Sequence, residues 1–592
     1  MNLYSGWLNK IQENEKQWEA FQKVDHTVVI AGPGSGKTRV LAVKIAHLLR
    51  EEITAPRGIA CLTYTRMMAE ELENRLSSLG VLDRPNVVVG TVHSFCLAHV
   101  ISPFARVFKL DIPQPIKIAP QKVWDSCLHR ARKLVTNKSY DPNSSNDKKF
   151  KTNITKYHLQ KTDISFEDWE NQEYARILQS HYQFLRELGY VDFDFIVKSA
   201  LNLIATQDLV RQSLYAKFAW IAVDEYQDLG YPLYKIVTEL MRFTPIKVFV
   251  IGDPDQCIFD FAGTDPKYLI ELAEKPEIQP VIKLTKNYRS TSGVVTISKA
   301  IRKPYCDYTS EKEGGTCRVY GVLPNEQNIY HQLVKKYLEY GFSKKEIAIL
   351  HPWRKGLHEI AETLRDNSIE FALDKNPDYD RSLTLIRWLE DLGCLCLNFG
   401  EPGEEANKAK VFNELVLTWS RIIHPQSLGD QNDGEARLKL IKLIWSIKGR
   451  DMRLGEWLSY VRNEMDFCLT LEEYKQIFPD EVKELENLQQ ITRQDSKLGE
   501  WKLSDFVNFT SGVQLTTLHS GKGMEFKVVI IAGVEKIGND ENGERLFYVG
   551  VTRAEQEICL VYSSEYQNVP NYIRNLIDKC NHLEYFNHYT LT

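Results

Sequence analysis

The chain has 592 residues, 43% of them apolar and 26% charged, with a formal net charge of −5. That length suggests about three to five domains, and the composition excludes a disordered or fibrous chain. No run of about 18 apolar residues occurs, and the polar start MNLYSGWLNKIQENEK lacks the basic end and apolar centre of a secretory signal, so a cytoplasmic protein without a membrane span is expected. The 11 cysteines are scattered and contain no CxxC pair, with Cys394 and Cys396 forming only a CxC, which points to reduced thiols rather than a metal cluster.

Short apolar, β-branched runs recur along the chain, each followed by a longer helical pattern. A first set comprises Thr27–Ile30, Ile59–Thr63, Val87–Val89, Trp220–Val223 and Val248–Ile251. A second comprises Val319–Val322, Ile347–Leu350, Val513–Leu518, Val528–Ile531 and Ile558–Tyr562. Strands alternating with helices predict parallel sheets covered on both faces, and two separated sets predict two α/β domains. Two stretches break the rhythm, about 109–200 and about 373–510. Both read as mainly helical insertions. The stretch Arg130–Lys161 is locally basic, which fits either a solvated helix face or a nucleic-acid footprint.

The run Thr27–Ile30 leads into AGPGSGKT and then a helical pattern, the strand–loop–helix context of a phosphate-binding loop. Ala31, Gly32, Pro33, Gly34, Ser35 and Gly36 would wrap backbone N–H groups around phosphate oxygens. Lys37 would reach the β- and γ-phosphates, and Thr38 would hold Mg²⁺. The nucleotide expected is ATP. The run Trp220–Val223 ends in Asp224 and Glu225. Asp224 would hold the metal and Glu225 would orient or deprotonate the attacking water. Neighbouring side chains on a strand point opposite ways, so this pair must sit where the strand has frayed.

Further motifs follow in a fixed order: NEKQWEAF (Asn14–Phe21), CLTYTRMMAEEL (Cys61–Leu72), VGTVHSF (Val89–Phe95), VDFDFI (Val191–Ile196), VDEYQD (Val223–Asp228), IGDPDQCIFDFAG (Ile251–Gly263), LTKNYRS (Leu284–Ser290), TTLHSGKGMEF (Thr516–Phe526) and YVGVTRA (Tyr548–Ala554). Together with the phosphate loop, this set resembles the UvrD/Rep/PcrA family of superfamily 1A DNA helicases. The resemblance covers both α/β domains. It implies two RecA-like P-loop domains, each with a helical insertion: 1–108 and 201–280 for domain 1A, 109–200 for insertion 1B, 281–372 and 511–592 for domain 2A, and 373–510 for a reduced insertion 2B.

The resemblance also implies roles. Gln17 would contact adenine and Tyr288 would stack on it. Gln256 would sense the γ-phosphate and water together, since its amide both donates and accepts. Arg289 and Arg553 would meet the γ-phosphate from the opposite domain and stabilise charge on the transferring phosphoryl group. Arg39 and Glu525 complete the implied nucleotide set. On the DNA side, Tyr64, His93, Phe259, Phe261 and His519 would offer rings to bases, and Thr63, Thr91 and Thr517 would bond phosphates.

Two features depart from the family. Phe261-Ala262-Gly263 stands where the family usually has Trp-Arg-Gly. The second insertion is short, and Ser446–Trp457 is the nearest stretch to the family's duplex-contacting turn. The implied activity is an ATP-dependent helicase or translocase moving 3′ to 5′ on single-stranded DNA and at single-strand/duplex junctions, with a repair protein or nuclease as partner. The alternative is an ATP-driven regulatory subunit of a nuclease complex, to which the compact accessory region loosely resembles the UvrD-like subunit of Gabija-type antiphage defence.

Overall fold

The structure is a computed structural model that describes residues 3–81, 86–141, 144–160, 169–322, 329–373, 383–398, 405–423, 433–467, 471–493, 499–507, 512–563, 571–584 and 586–590. It is α/β, with parallel sheets flanked by helices. By compactness the chain divides into two units. The first is Met1–Val319 with Glu535–Ile558 and Asn568–Tyr589; the second is Tyr320–Val534 with Cys559–Gln567 and Thr590–Thr592.

In the first unit, β1 (Thr27–Ala31), β2 (Gly58–Thr63), β3 (Val87–Thr91), β4 (Phe218–Val223), β5 (Lys247–Gly252) and β6 (Ile282–Leu284) form one sheet in the order β3-β2-β4-β5-β1-β6. Every pair runs parallel. Each expected run of this set is a strand. Alternation explains their continuous apolar character, because successive side chains enter opposite layers. Val28, Ile30, Ala60 and Leu62 bury on one face with Ile221 and Val250. Val29, Ala31, Ile59 and Cys61 bury on the other with Ala222 and Ile251. A parallel sheet puts all its strand ends on one edge. The carboxyl edge therefore gathers the residues after β1, β2, β3, β4 and β5, which are the motif residues. A short pair, β7 (Lys286–Asn287) with β8 (Thr309–Ser310), holds the LTKNYRS turn.

The first insertion contains helices Gln121–Thr136, Ser145–Gln160 and Trp169–Glu187, packed through Leu128, Ile154, Ile177 and Leu185. The helix Phe193–Thr206 continues past residue 200, and its Ile196, Ala200 and Ile204 join the core beside the first sheet.

In the second unit, β9 (Thr316–Val322) enters from the first unit at Tyr320 and is followed by β10 (Ile347–His351) and β11 (Phe371–Leu373), with β12 (Val513–Thr517) and β13 (Phe526–Ala532) later in the chain; β14 (Ala554–Ser563) enters it at Cys559, and β15 (Phe586–Thr590) belongs to the first unit as far as Tyr589. The strands β11, β12, β10 and β13 lie side by side and parallel in that order. The second insertion is helical where described, from Thr384–Leu397 to Leu503–Val507. It has its own core, in which Trp388 and Trp419 stack with centroids 4.7 Å apart. Among the described residues, no helix is long and apolar enough to cross a membrane.

Candidate functional site

The phosphate loop leaves β1 at Ala31, and the helix Lys37–His47 begins at its end. Its three glycines answer to three different neighbours. A Cβ on Gly32 would lie 2.8 Å from the Tyr308 ring. Gly34 has φ +66°, and a Cβ there would lie 2.7 Å from Arg289 Cβ and Asn287 Oδ1. Gly36 has φ +81°, and Gln17 Nε2 approaches its Cβ position to 3.0 Å. Pro33 and Ser35 are buried, Thr38 and Arg39 half-buried. The Ser35 hydroxyl donates to the Gly32 carbonyl at 2.7 Å and fixes the loop's curl.

Gln17 and Tyr288 flank this loop. Asn14 caps the helix Glu15–Gln22, accepting from the amides of Lys16 and Gln17. Its Nδ2 donates to the Tyr288 hydroxyl at 2.6 Å. Gln17 Nε2 donates to the Ser35 carbonyl at 2.7 Å. The Tyr288 amide donates to the Gly34 carbonyl at 2.8 Å.

The strand β4 stops at Val223, and Glu225 adopts φ 47°, ψ 47°. Left-handed backbone at a non-glycine residue is strained, and here it undoes the strand's alternation, so Asp224 and Glu225 need not point apart. Glu225 Oε1 lies 3.7 Å from Lys37 Nζ. Burial pushes the Asp224 carboxyl up to about 7, the Glu225 charge adds to the rise, and Lys37 pulls it down. Such a carboxyl gains its charge most readily beside a cation.

Behind this pair runs a hydrogen-bonded chain. Gln227 Nε2 donates to Glu225 Oε2 at 2.6 Å, and Gln227 Oε1 accepts from the Asp253 amide at 3.0 Å. Gln256 Nε2 donates to Asp253 Oδ2 at 2.7 Å, while Gln256 Oε1 accepts from Arg553 Nη2 at 3.1 Å. Both orientations of the Gln256 amide are thereby assigned by charge. Arg553 also donates Nε to the Val549 carbonyl at 3.0 Å. Arg289 Nη1 donates to the Thr552 carbonyl at 3.1 Å. Burial pushes Asp253 up to about 6, with Lys37 opposing. Arg289 and Arg553, expected on the wall facing the loop, fall in the same compact unit as the loop itself.

Three residues of this chain, Asn14, Gln227 and Asp253, and a fourth, Thr552, were not singled out from sequence. Asp253 and Gln227 lie inside quoted motifs, so a buried carboxylate and amide beside Gln256 and Glu225 were the available signal.

Further along the same sheet edge lie the ring-bearing candidates. Tyr64 follows β2 and packs on Phe259, with centroids 5.1 Å apart; Phe259 meets Phe261 edge-on at 6.0 Å. Phe261 is 48% exposed. His93 follows β3 and meets Phe193 at 5.1 Å, and burial holds its pKa below the usual histidine value. The threonines serve the backbone. Thr63 is buried and donates to the Thr65 carbonyl at 3.0 Å. Thr91 caps the turn Val92–Phe95 by accepting from the Ser94 amide at 3.2 Å. In the second unit, Thr517 accepts from the Ser520 amide at 3.1 Å, His519 is half-buried and Glu525 is exposed.

Residues 13–277 match the UvrD/REP helicase N-terminal domain, and residues 448–565 match the UvrD-like helicase C-terminal domain. The chain is 24% identical over 619 residues to a protein named ATP-dependent DNA helicase PcrA from Staphylococcus epidermidis, covering 92% of this chain and 82% of that one. It is 23% identical over 624 residues to the protein of the same name from Staphylococcus aureus strain Mu50, covering 93% and 83%.

Proposed function

This chain belongs to the UvrD/PcrA-like family of ATP-hydrolysing DNA helicases, and on that premise we propose that it is a motor that moves 3′ to 5′ on single-stranded DNA and separates duplex ahead of it. The observation that carries this reading is the buried chain Lys37–Glu225–Gln227–Asp253–Gln256–Arg553, which shares one sheet edge with the rings of Tyr64, Phe259 and Phe261.

In this reading Gln17 and Tyr288 hold the adenine, and Asn14 fixes both. The loop amides from Gly32 to Lys37 surround the phosphates, and Arg39 borders the nucleotide. Glu225 takes up the proton of the attacking water, and its left-handed backbone aims it. Mg²⁺ would be held by Thr38 and Asp224, where it would offset phosphate charge. The donor set fits, because Asp224 is a buried carboxyl beside the second acid Glu225, whose charge raises it further and which a cation would offset. Arg289 and Arg553 stabilise charge on the γ-phosphoryl group. Gln256 bonds Arg553 on one side and Asp253 on the other, so loss of the γ-phosphate is felt along the chain. Phe259 lies three residues beyond Gln256. A shift at the sensor therefore moves the ring stack that holds a base, which couples hydrolysis to strand movement. Thr63, Thr91 and Thr517 shape the turns that present their neighbours to the strand, and His93 and His519 supply further ring faces.

Strand displacement on 3′-tailed and 5′-tailed duplexes tests the proposal. Unwinding of the 3′-tailed substrate alone is expected. ATP turnover stimulated by DNA but no displacement of either substrate would favour instead an ATP-driven subunit serving a partner nuclease.

A further inference from the structure

The helix Glu541–Val551 runs into the YVGVTRA motif, but its first turn lies outside every helicase motif of the chain. Its far end seats Arg553, whose Nε donates to the Val549 carbonyl at 3.0 Å and whose amide donates to the Gly550 carbonyl at 3.2 Å. From Asn542 to Arg553 the chain rises by about 16 Å, at about 1.5 Å per residue, so the first turn and the guanidinium are two ends of one rigid element.

That first turn is held on two sides. Arg302 donates Nη1 to Glu544 Oε1 and Nε to Asp255 Oδ1, both at 2.8 Å, which ties the helix to the residue before Gln256. Asn542 donates Nδ2 to Asp260 Oδ2 at 2.8 Å, which ties it to the residue between Phe259 and Phe261. The direction of the Asn542 amide is set, because its Oδ1 accepts from Arg545 Nη1 at 3.3 Å and a guanidinium can only donate. Asp540 caps the helix by accepting from the Gly543 amide at 2.9 Å, so Asn542 stands on ordered backbone. Asp260 is fixed as well. It opens the tight turn Asp260–Ala262, in which the Ala262 amide donates to the Phe259 carbonyl at 2.8 Å and the Gly263 amide to the Asp260 carbonyl at 2.9 Å. A shift of either ring therefore carries the Asp260 carboxylate with it. All of these residues belong to the first compact unit.

We infer that the Asn542–Asp260 hydrogen bond reports a bound base to Arg553, which makes Asn542 a positioning residue for ATP turnover stimulated by single-stranded DNA. This rests on the reading of Phe259 and Phe261 as the base stack and of Arg553 as a γ-phosphate contact. A base on the half-exposed Phe261 ring settles the turn, the bond hands that setting to the first turn of the helix, and the helix seats the guanidinium. Coupling between two sites is reciprocal, so nucleotide changes the grip on the strand through the same bond.

The test is steady-state ATP turnover of the full chain with and without oligo(dT), together with oligo(dT) affinity read by anisotropy with and without a non-hydrolysable ATP analogue. In Asn542→Ala, basal turnover should stay at the wild-type level, while the factor by which oligo(dT) raises it falls about 10-fold or is lost, as for one hydrogen bond to a charged group. Affinity for oligo(dT) without nucleotide should be unchanged, and the change that the ATP analogue makes in it should shrink. Asn542→Asp sets two carboxylates face to face and should behave the same way. Asn542→Asp combined with Asp260→Asn exchanges donor and acceptor and should restore stimulation. Wild-type stimulation in Asn542→Ala overturns the inference. Loss of its basal turnover does so too, since the bond would then hold the fold rather than carry a signal, and so does an exchanged pair no better than Asn542→Asp. If Phe261→Ala loses stimulation while Asn542→Ala keeps it, the inference falls and the reading of the base stack stands. If oligo(dT) does not raise turnover of the wild-type chain, both fall.

Discussion

Replacing Gln256 by glutamate isolates the link between the two halves of the buried chain. The side chain keeps its shape and keeps an acceptor for Arg553. Its donor to Asp253, now at 2.7 Å, becomes a second carboxylate facing the first. Two like charges about 4 Å apart repel by about 4 kcal/mol at an effective dielectric of about 20, or about three pH units. Asp253 already sits near 6 because of its burial. The pair should therefore share one proton below a midpoint that lies between about 6 and about 9. While it holds that proton, one carboxyl donates to the other and replaces the lost amide. Above the midpoint the bond is gone, and a charge-assisted hydrogen bond of about 1.5–3 kcal/mol disappears with it. ATP turnover of Gln256→Glu relative to wild type should then fall about 10- to 100-fold as pH rises from 6 to 9. Gln256→Met, which can neither donate nor accept in this way, should be low throughout. The assay is steady-state turnover across that range. A Gln256→Glu ratio that does not change with pH would refute the reasoning.

Lys37→Ala and Glu225→Gln should each abolish hydrolysis, but Glu225→Gln should still bind ATP, as read with a fluorescent nucleotide analogue; turnover surviving in either contradicts the site assignment. Gly34→Ala should weaken nucleotide binding and lower stability by at least the roughly 1–2 kcal/mol that a left-handed alanine costs, because its Cβ would also press on Arg289 and Asn287 at 2.7 Å; wild-type binding and melting would count against the loop geometry. His99 is held down to about 4 by burial first and by Lys217 second, so its folded value lies below the ordinary 6.5. The unfolded chain then takes the proton first, and stability is full above about 6.5 and falls as pH drops toward 4. Melting of His99→Gln should accordingly lose less than wild type between pH 7.5 and 5, and equal losses would contradict this.

The strands and the phosphate loop were legible because their signals are local. Thr27–Ala31 is β-branched, a glycine turn follows, and a helix pattern begins within a few residues. The same holds for Asp224 and Glu225 at a strand end, although the left-handed backbone that turns Glu225 was not, since nothing in the residue type demands it. The wiring of the site was hidden for a different reason. Asn14 reaches Tyr288 across 274 residues and Arg553 reaches Gln256 across 297. Such pairs are set by the fold bringing the cap of the helix Glu15–Gln22 to the turn after β7, and the turn before β14 to the turn after β5, which no local pattern encodes. The threonines show the converse limit. Their place in the motifs was readable, but Thr91 spends its hydroxyl on a cap and Thr63 on a carbonyl, and only the backbone path reveals that.

The most direct test of the central claim is ATP turnover measured with and without single-stranded DNA. If one sheet edge serves both the nucleotide and the strand, turnover rises when oligo(dT) is added and the rise is lost in Phe261→Ala while basal turnover remains. Turnover that single-stranded DNA leaves unchanged would contradict the account.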